Sequence, residues 1–227
     1  MRPDVLALYR FYESALGRAS CPIISAKLAR LTAPKADSIT IGFGFTLPYL
    51  DYLAQAEQDA GSRYLGFMPA QQGVCHWPAH VGSRTALVEE YNLPLADSSV
   101  DRMILVHALE HANRPVNLLR EIWRVLAPGG QLIAVVPNRM RSWAAYEGTP
   151  FGHGRPYSKG QLATFLEEQM LPVDGWDTAL MMPPFMRPIA SRMLKYGERP
   201  IGVLGRNLGP RLKSRITSLP QPEAKWN

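Results

Sequence analysis

What this chain has little of narrows its class first. Its 227 residues include only two cysteines, Cys21 and Cys75, far apart in the sequence. Two thiols build no disulfide framework, so a reducing, cytoplasmic compartment is expected. No apolar run approaches the ~18 residues that span a bilayer. The first ten residues carry charge at Arg2, Asp4 and Arg10 and hold no apolar h-region, so no secretory signal is expected. Metal-ligating residues are also thin. Cys75, His76 and His80 share one stretch without a further ligand nearby in sequence, and no metal site is expected. Acidic residues are scarce at the C-terminal end, where nine Lys and Arg from Arg187 to Lys225 face only Glu198 and Glu223. The body is therefore close to neutral and the end is basic. Such a segment suits an anionic membrane surface or an acidic protein. It lacks a stacking motif, which makes nucleic acid the weaker choice.

The apolar pattern that is present alternates between helix and strand. Val5, Leu8, Tyr9, Tyr12 and Leu16 predict a helix over 5–16 stopped by Gly17, and a second helix is expected over 23–31, ending before Pro34. Residues 37–45 predict a strand running into a turn at Gly42 and Gly44, followed by a helix over 47–56. Short strands are expected at 64–68 and 85–89, with a long loop at 69–84 that Trp77 packs down. Residues 101–107 form a buried strand. Asn113 caps the next helix, with Pro115 in its first turn and Pro128-Gly129-Gly130 as its stop. The apolar run 131–137 is a strand buried on both faces, as in a parallel sheet. After a loop over 138–157, Ser158 caps a helix to about 170, residues 175–182 read as a sixth strand, and 187–196 as a cationic amphipathic helix. Strands alternating with helices imply an α/β fold with a doubly wound, mostly parallel sheet between two helical layers, a three-layer α/β/α sandwich. Ligands of such sheets sit at the carboxyl ends of the strands, which lines up Gly42, Gly44, Phe67, Met68, Glu89 and His107 on one rim.

The stretch from Leu93-Pro94 through Asp101, Glu110-His111 and Arg120-Glu121 to Pro128-Gly129-Gly130 resembles the central block of class I S-adenosylmethionine-dependent methyltransferases, nearest the type 11 group. Tyr157-Ser-Lys-Gly-Gln-Leu, followed by Phe165-Leu166, is similar to a late helix of that family. The resemblance implies a Rossmann-like methyltransferase fold, S-adenosylmethionine as cofactor and a small-molecule acceptor. It also shows departures. The family's acid-x-Gly-x-Gly-x-Gly loop stands here as Thr40-Ile-Gly42-Phe-Gly44-Phe45-Thr46. The ribose-binding acid after the second strand is missing from Leu65-Gly-Phe67-Met68-Pro69. The helix between the second and third strands is replaced by the 69–84 loop. The seventh, antiparallel strand has only Arg215-Ile-Thr-Ser-Leu to offer.

Cofactor-binding positions implied by the resemblance are Gly42, Gly44, Phe67, Met68, Glu89 or Glu90, and His107. Glu110-His111 reads as a structural clamp. The 139–157 loop mixes arginines with Trp143, Tyr146, Phe151 and Tyr157, which suits an anionic or planar acceptor. His153 is the candidate general base, with His107 as the alternative. The organisation expected is covering helices over 1–34, a methyltransferase-like domain over 35–186, and the basic helix and tail over 187–227. Two functions follow from these features. One is a methyltransferase; the other is a catalytically degenerate relative that keeps the fold and serves as a binding or scaffold partner, its cleft plugged by Phe43, Phe45 or Phe67.

Overall fold

The computed structural model describes residues 2–32, 35–56, 61–80, 82–180 and the backbone of 216–217. The expected helix at 187–196 lies outside these residues. One sheet in the order β3-β2-β1-β4-β5-β6 forms the centre. Its strands are β1 (Ile39–Gly44), β2 (Arg63–Pro69), β3 (Thr85–Val88), β4 (Val100–Val106), β5 (Leu126–Val135) and β6 (Ile216–Thr217). The first five run parallel, and β6 pairs antiparallel with Gln131 and Leu132 of β5. The chain winds outward from β1 to β3, then crosses back to place β4 on the other side of β1. That reversal opens a crevice above the carboxyl ends of β1 and β4.

Alternation along the strands divides the core. Met103 and Leu105 of β4 face a cluster with Ile41, Phe43, Phe67 and the apolar stripes of α4 (Pro115–Val125) and α5 (Lys159–Glu167). Ile104 and Val106 face the opposite cluster, which holds Leu8 and Tyr12 of α1 (Val5–Glu13), Ile24 and Leu28 of α2 (Ala15–Leu31), and Leu50 and Leu53 of α3 (Leu47–Ala56). The three-layer α/β/α sandwich expected from the sequence is therefore present, with α1 and α2 sharing a core with α3 and the sheet.

Several local expectations are corrected. The first helix ends at Ser14, not Gly17. Ser14 donates its amide to Phe11 O at 2.9 Å, and its Oγ accepts from Gly17 N at 3.1 Å to cap α2. A Cβ on Gly17 would stand 2.1 Å from Phe11 O, so this glycine permits the tight elbow between α1 and α2. Helix α2 accordingly starts at Ala15 and carries Pro22 within it. Asn113 is not the cap of α4: Arg114 holds that position without a side-chain bond, and Pro115 with its preset φ starts the helix. Nor does Pro128-Gly-Gly stop α4. Leu126 leaves the helix with extended backbone and at once pairs with Val100. The ladder resumes at Gln131 opposite Arg102, so 127–130 is an excursion within β5. Residues 175–180 are not in a strand. By contrast, Trp77 does pin the 69–84 loop: it is buried, and its indole N–H donates to Asp51 Oδ1 at 2.7 Å.

Asp101 ties β4 to the start of β1. Its Oδ2 accepts from Ile39 N at 2.9 Å and its other oxygen pairs with Lys35. Partial burial works against the charge, but Lys35 and the Ile39 amide outweigh it and hold the carboxyl below its usual range. A depressed acid stabilises above its unfolded pKa and loses that contribution as pH falls through the folded value. Asp101→Asn is expected to cost about 1 kcal/mol at pH 7. Urea titrations at decreasing pH should show the difference from wild type begin to shrink near about pH 4 and go on shrinking below it, as the pH falls through the depressed value.

The candidate cofactor crevice and its cover

Gly42 and Gly44 close β1 directly under the switch point. Gly44 has φ +90°, and a Cβ there would stand 2.2 Å from Val106 O. Gly42 is roofed by Thr46, whose Oγ1 would lie 2.1 Å from an added Cβ. Thr46 stands where the third glycine was expected, and its carbonyl accepts from Tyr49 N and Leu50 N to start α3. The turn's amides are partly spent, since Phe45 N donates to Val106 O at 2.9 Å.

The phenyl rings around this turn are interior. Phe43 and Phe67 face the α4 and α5 side of the sheet. Phe45 faces the α1 side and stacks on Tyr12 with centroids 5.4 Å apart. Met68 at the end of β2 is fully buried, and no carboxylate takes its place. Gln72 follows it, 1% exposed, and its carbonyl accepts from Val5 N at 2.7 Å. After β3, Glu89 is exposed, whereas Glu90 is buried against the guanidinium of Arg2. After β4, His107 has φ +52° and no solvent exposure. Its Nε2 shares a proton with Tyr12 Oη at 2.8 Å, and Tyr12 Oη meets Tyr49 Oη at 2.7 Å. Burial raises both tyrosines well above their ordinary pKa, against the Tyr12 hydrogen bond in the case of Tyr49 and reinforced by Tyr49 in the case of Tyr12, so this pair is neutral.

Residues 2–12 therefore cross the crevice from end to end. Arg2 stands on Glu90, Val5 on Gln72 and Gly73, Leu8 is buried in the core, and Tyr12 sits on Phe45 and His107. Asp4 starts α1 by accepting from Ala7 N at 2.7 Å. Sequence reading gave Arg2, Tyr12, Thr46 and Gln72 no site role. No local signal marks them, because Arg2 and Glu90 lie 88 positions apart.

Polar atoms left without partners gather on this same rim. Among the described residues these buried atoms are Arg2 Nε and Nη1, Thr46 Oγ1, Gln72 Oε1 and Nε2, His107 Nδ1, Glu110 Oε1 and His111 Nε2. An unpaired buried polar group costs about 1–3 kcal/mol, so such a concentration needs a reason. Glu110 Oε2 accepts from Ala108 N at 3.2 Å, while its Oε1 lies 3.5 Å from His107 Nδ1. Burial, offset in part by Glu110, holds His111 down to about 4, so its ring is neutral at pH 7.

His153 lies elsewhere, on a cleft of about 340 Å³ between α1 and residues 147–153 that Arg10, Phe11 and Glu147 also line. Trp143 and Phe151 are buried beneath that loop, with Phe151 against His107 at 4.9 Å, while Tyr146 is exposed. The two histidines considered for proton transfer thus stand in different settings, one closed to solvent and one on an open cleft.

As it stands the crevice fits a nucleoside only in part. It has glycines at the turn and unpaired polar atoms along the rim. It lacks a diol acceptor at the end of β2, and residues 2–12 occupy its length.

Residues 41–134 match the methyltransferase domain family, the type 11 group. An uncharacterized methyltransferase of Mycobacteroides abscessus is 39% identical over 88 residues, which cover 36% of this chain and 34% of that protein. A demethylmenaquinone methyltransferase of Chlamydia trachomatis is 31% identical over 127 residues, covering 50% of this chain and 54% of that protein. The chain thus spans between a third and about half of the curated relatives it matches. The crystal structure of an S-adenosylmethionine-dependent methyltransferase from Archaeoglobus fulgidus superposes with TM-score 0.59 and 18% identity over 93% of this chain and 99% of the other. No helix among the described residues is long and apolar enough to cross a membrane. Residues 41–134 thus match the methyltransferase domain family, and the sheet order and the superposition show the Rossmann-like α/β fold of such domains.

Proposed function

We propose that the chain is an S-adenosylmethionine-dependent methyltransferase acting on a small-molecule acceptor, with its cofactor crevice under residues 2–12. The observation that carries this reading is the set of unpaired buried polar atoms of Arg2, Thr46 and Gln72 on the carboxyl rim of the sheet. A core built only to be filled would leave few such groups, whereas a polar ligand would satisfy them. Gly42 and Gly44 would shape the turn beneath the ligand, their own side-chain space being taken by Thr46 and by Val106 O. Thr46 and Gln72 would supply hydroxyl and amide partners where the family's ribose acid is missing, and Glu90 would become available once Arg2 leaves it. The cofactor supplies a methyl group already activated on sulfonium, so the protein's part is chiefly alignment. His153, on the cleft beside Arg10, would accept the acceptor's proton.

Isothermal calorimetry of the full chain with S-adenosylhomocysteine tests this. Binding is expected, weakened about tenfold in Gln72→Leu through loss of a polar contact of about 1.4 kcal/mol. Absence of heat at millimolar ligand rejects the proposal. Gly44→Asp would be a poor probe, because its Cβ would collide with β4 whether or not a ligand binds.

The degenerate alternative is favoured by one specific observation: Arg2 and Tyr12 already hold Glu90, Phe45 and His107. On that reading the N-terminal segment permanently replaces the ligand. A native mass spectrum of freshly purified protein separates the two, since a retained nucleoside would end the alternative.

A further inference from the structure

We propose that His107, Glu110 and His111 form a binding site for a divalent first-row transition metal ion of the zinc type, placed under Tyr12 at the end of β4. The three residues bring one ligand atom each to within 4.8 Å of the other two. The site is built by local backbone: His107 turns out of β4 with φ +52°, and a 3-10 turn over Leu109–His111 brings the next two residues back beside it. Zinc binds nitrogen and carboxylate oxygen at about 2.0–2.2 Å in a tetrahedron, which sets its ligands about 3.4 Å apart. His107 Nδ1 and Glu110 Oε1 stand 3.5 Å apart.

The independent observation is that each of the three residues carries a buried polar atom without a hydrogen-bond partner. His107 Nδ1, Glu110 Oε1 and His111 Nε2 are all buried and make no hydrogen bond, and the side chains of His107 and Glu110 are 0% and 1% exposed. Their far sides, by contrast, are engaged. His107 Nε2 lies 2.8 Å from Tyr12 Oη, and Glu110 Oε2 accepts from Ala108 N. With the imidazole proton on Nε2 donated to Tyr12, the Nδ1 lone pair is free to bind an ion. Such outer hydrogen bonds set ligand tautomer and orientation at metal sites. His111 is fixed by close packing: a Cβ on Gly154 would stand 2.9 Å from both its Nδ1 and Cε1. Two imidazoles and one carboxylate are the donor set of zinc and its neighbours, and nitrogen donors disfavour magnesium and calcium. Three protein ligands leave one position open. This proposal stands apart from the methyltransferase reading, because it needs no cofactor in the crevice.

The test uses the full chain, stripped with chelator and titrated with Zn²⁺, and with Co²⁺ for its ligand-field absorption. One equivalent is expected to bind, with a cobalt spectrum of mixed nitrogen and oxygen ligation. His111→Ala and Glu110→Gln should abolish stoichiometric binding while circular dichroism stays native. His111→Cys should restore it and add a sulfur charge-transfer band to the cobalt spectrum. Tyr12→Phe, which keeps the ring and removes the outer hydrogen bond to His107 along with the one to Tyr49, should weaken Zn²⁺ about 10- to 100-fold. Metal analysis of protein purified without chelator identifies the native ion. Binding that survives His111→Ala and Glu110→Gln, or is lost instead with Cys75→Ser and His76→Ala, overturns the assignment. So does the absence of any stoichiometric binding by the wild type.

Discussion

Gly44→Ala is expected to lower the unfolding free energy by more than about 3 kcal/mol, among the largest losses any single methyl group could cause in this chain. Two costs combine. The backbone at φ +90° is one that L side chains rarely adopt, worth about 1–2 kcal/mol by itself. The new methyl would also stand 2.2 Å from Val106 O, and that oxygen cannot retreat, because it is held by the Phe45 amide. Gly129→Ala separates the two costs. Gly129 has φ +73° but meets nothing within 4 Å, so it should lose only the backbone part, about 1–2 kcal/mol. Denaturant titrations of both variants check this. Equal losses would mean that β1 and β4 do not meet in the register seen here.

Tyr12→Ala should move stability and affinity in opposite directions. Tyr12 is buried against Phe45, Tyr49 and His107, and truncating an aromatic in such a place costs about 3–5 kcal/mol. The same change removes the fastening of α1 over the switch point. If the proposed crevice is a nucleoside site, S-adenosylhomocysteine then competes against a weaker cover. Its affinity should rise on the order of tenfold, the factor by which the open population grows when about 1.4 kcal/mol of closing energy is lost. Calorimetry at a temperature where the variant remains folded reads the affinity, and thermal denaturation reads the stability. A variant that is less stable and also binds no better would show that residues 2–12 do not compete with the ligand. Tyr12→Phe is the finer probe, since it keeps the ring and strands the His107 Nε2 that Tyr12 now satisfies.

The sheet was legible because its information is local. Runs such as 103–106 and 132–135 are apolar on both faces, and Pro115 marks the start of the helix between them. Residues 47–56 show the same clarity: Leu47, Leu50 and Leu53 repeat at helical spacing and all three are buried. Boundaries set by tertiary contact were less readable. Ser14 breaks a helical pattern that continues to Leu16 because its hydroxyl and amide serve two helices at once. Leu126 enters a strand early because Val100 is waiting opposite it. The site divided along the same line. Gly42 and Gly44 are visible as a motif. The partners that decide what the rim is doing come from remote segments: Arg2 reaches Glu90, and Tyr12 reaches His107 across 95 positions. Glu110-His111, read as a clamp, acquires a second meaning only when His107 is seen to curl back beside it.

One junction fixes how this molecule can move. Because Leu126 both ends α4 and begins β5, there is no slack link between them, and Arg124 stitches the same region to Asp97, Glu121 and the carbonyls of Leu93 and Leu95. That side of the sheet can only travel as one piece. Whatever admits a guest must therefore yield at the opposite boundary, where a single short helix is fastened by a few side chains and one main-chain bond.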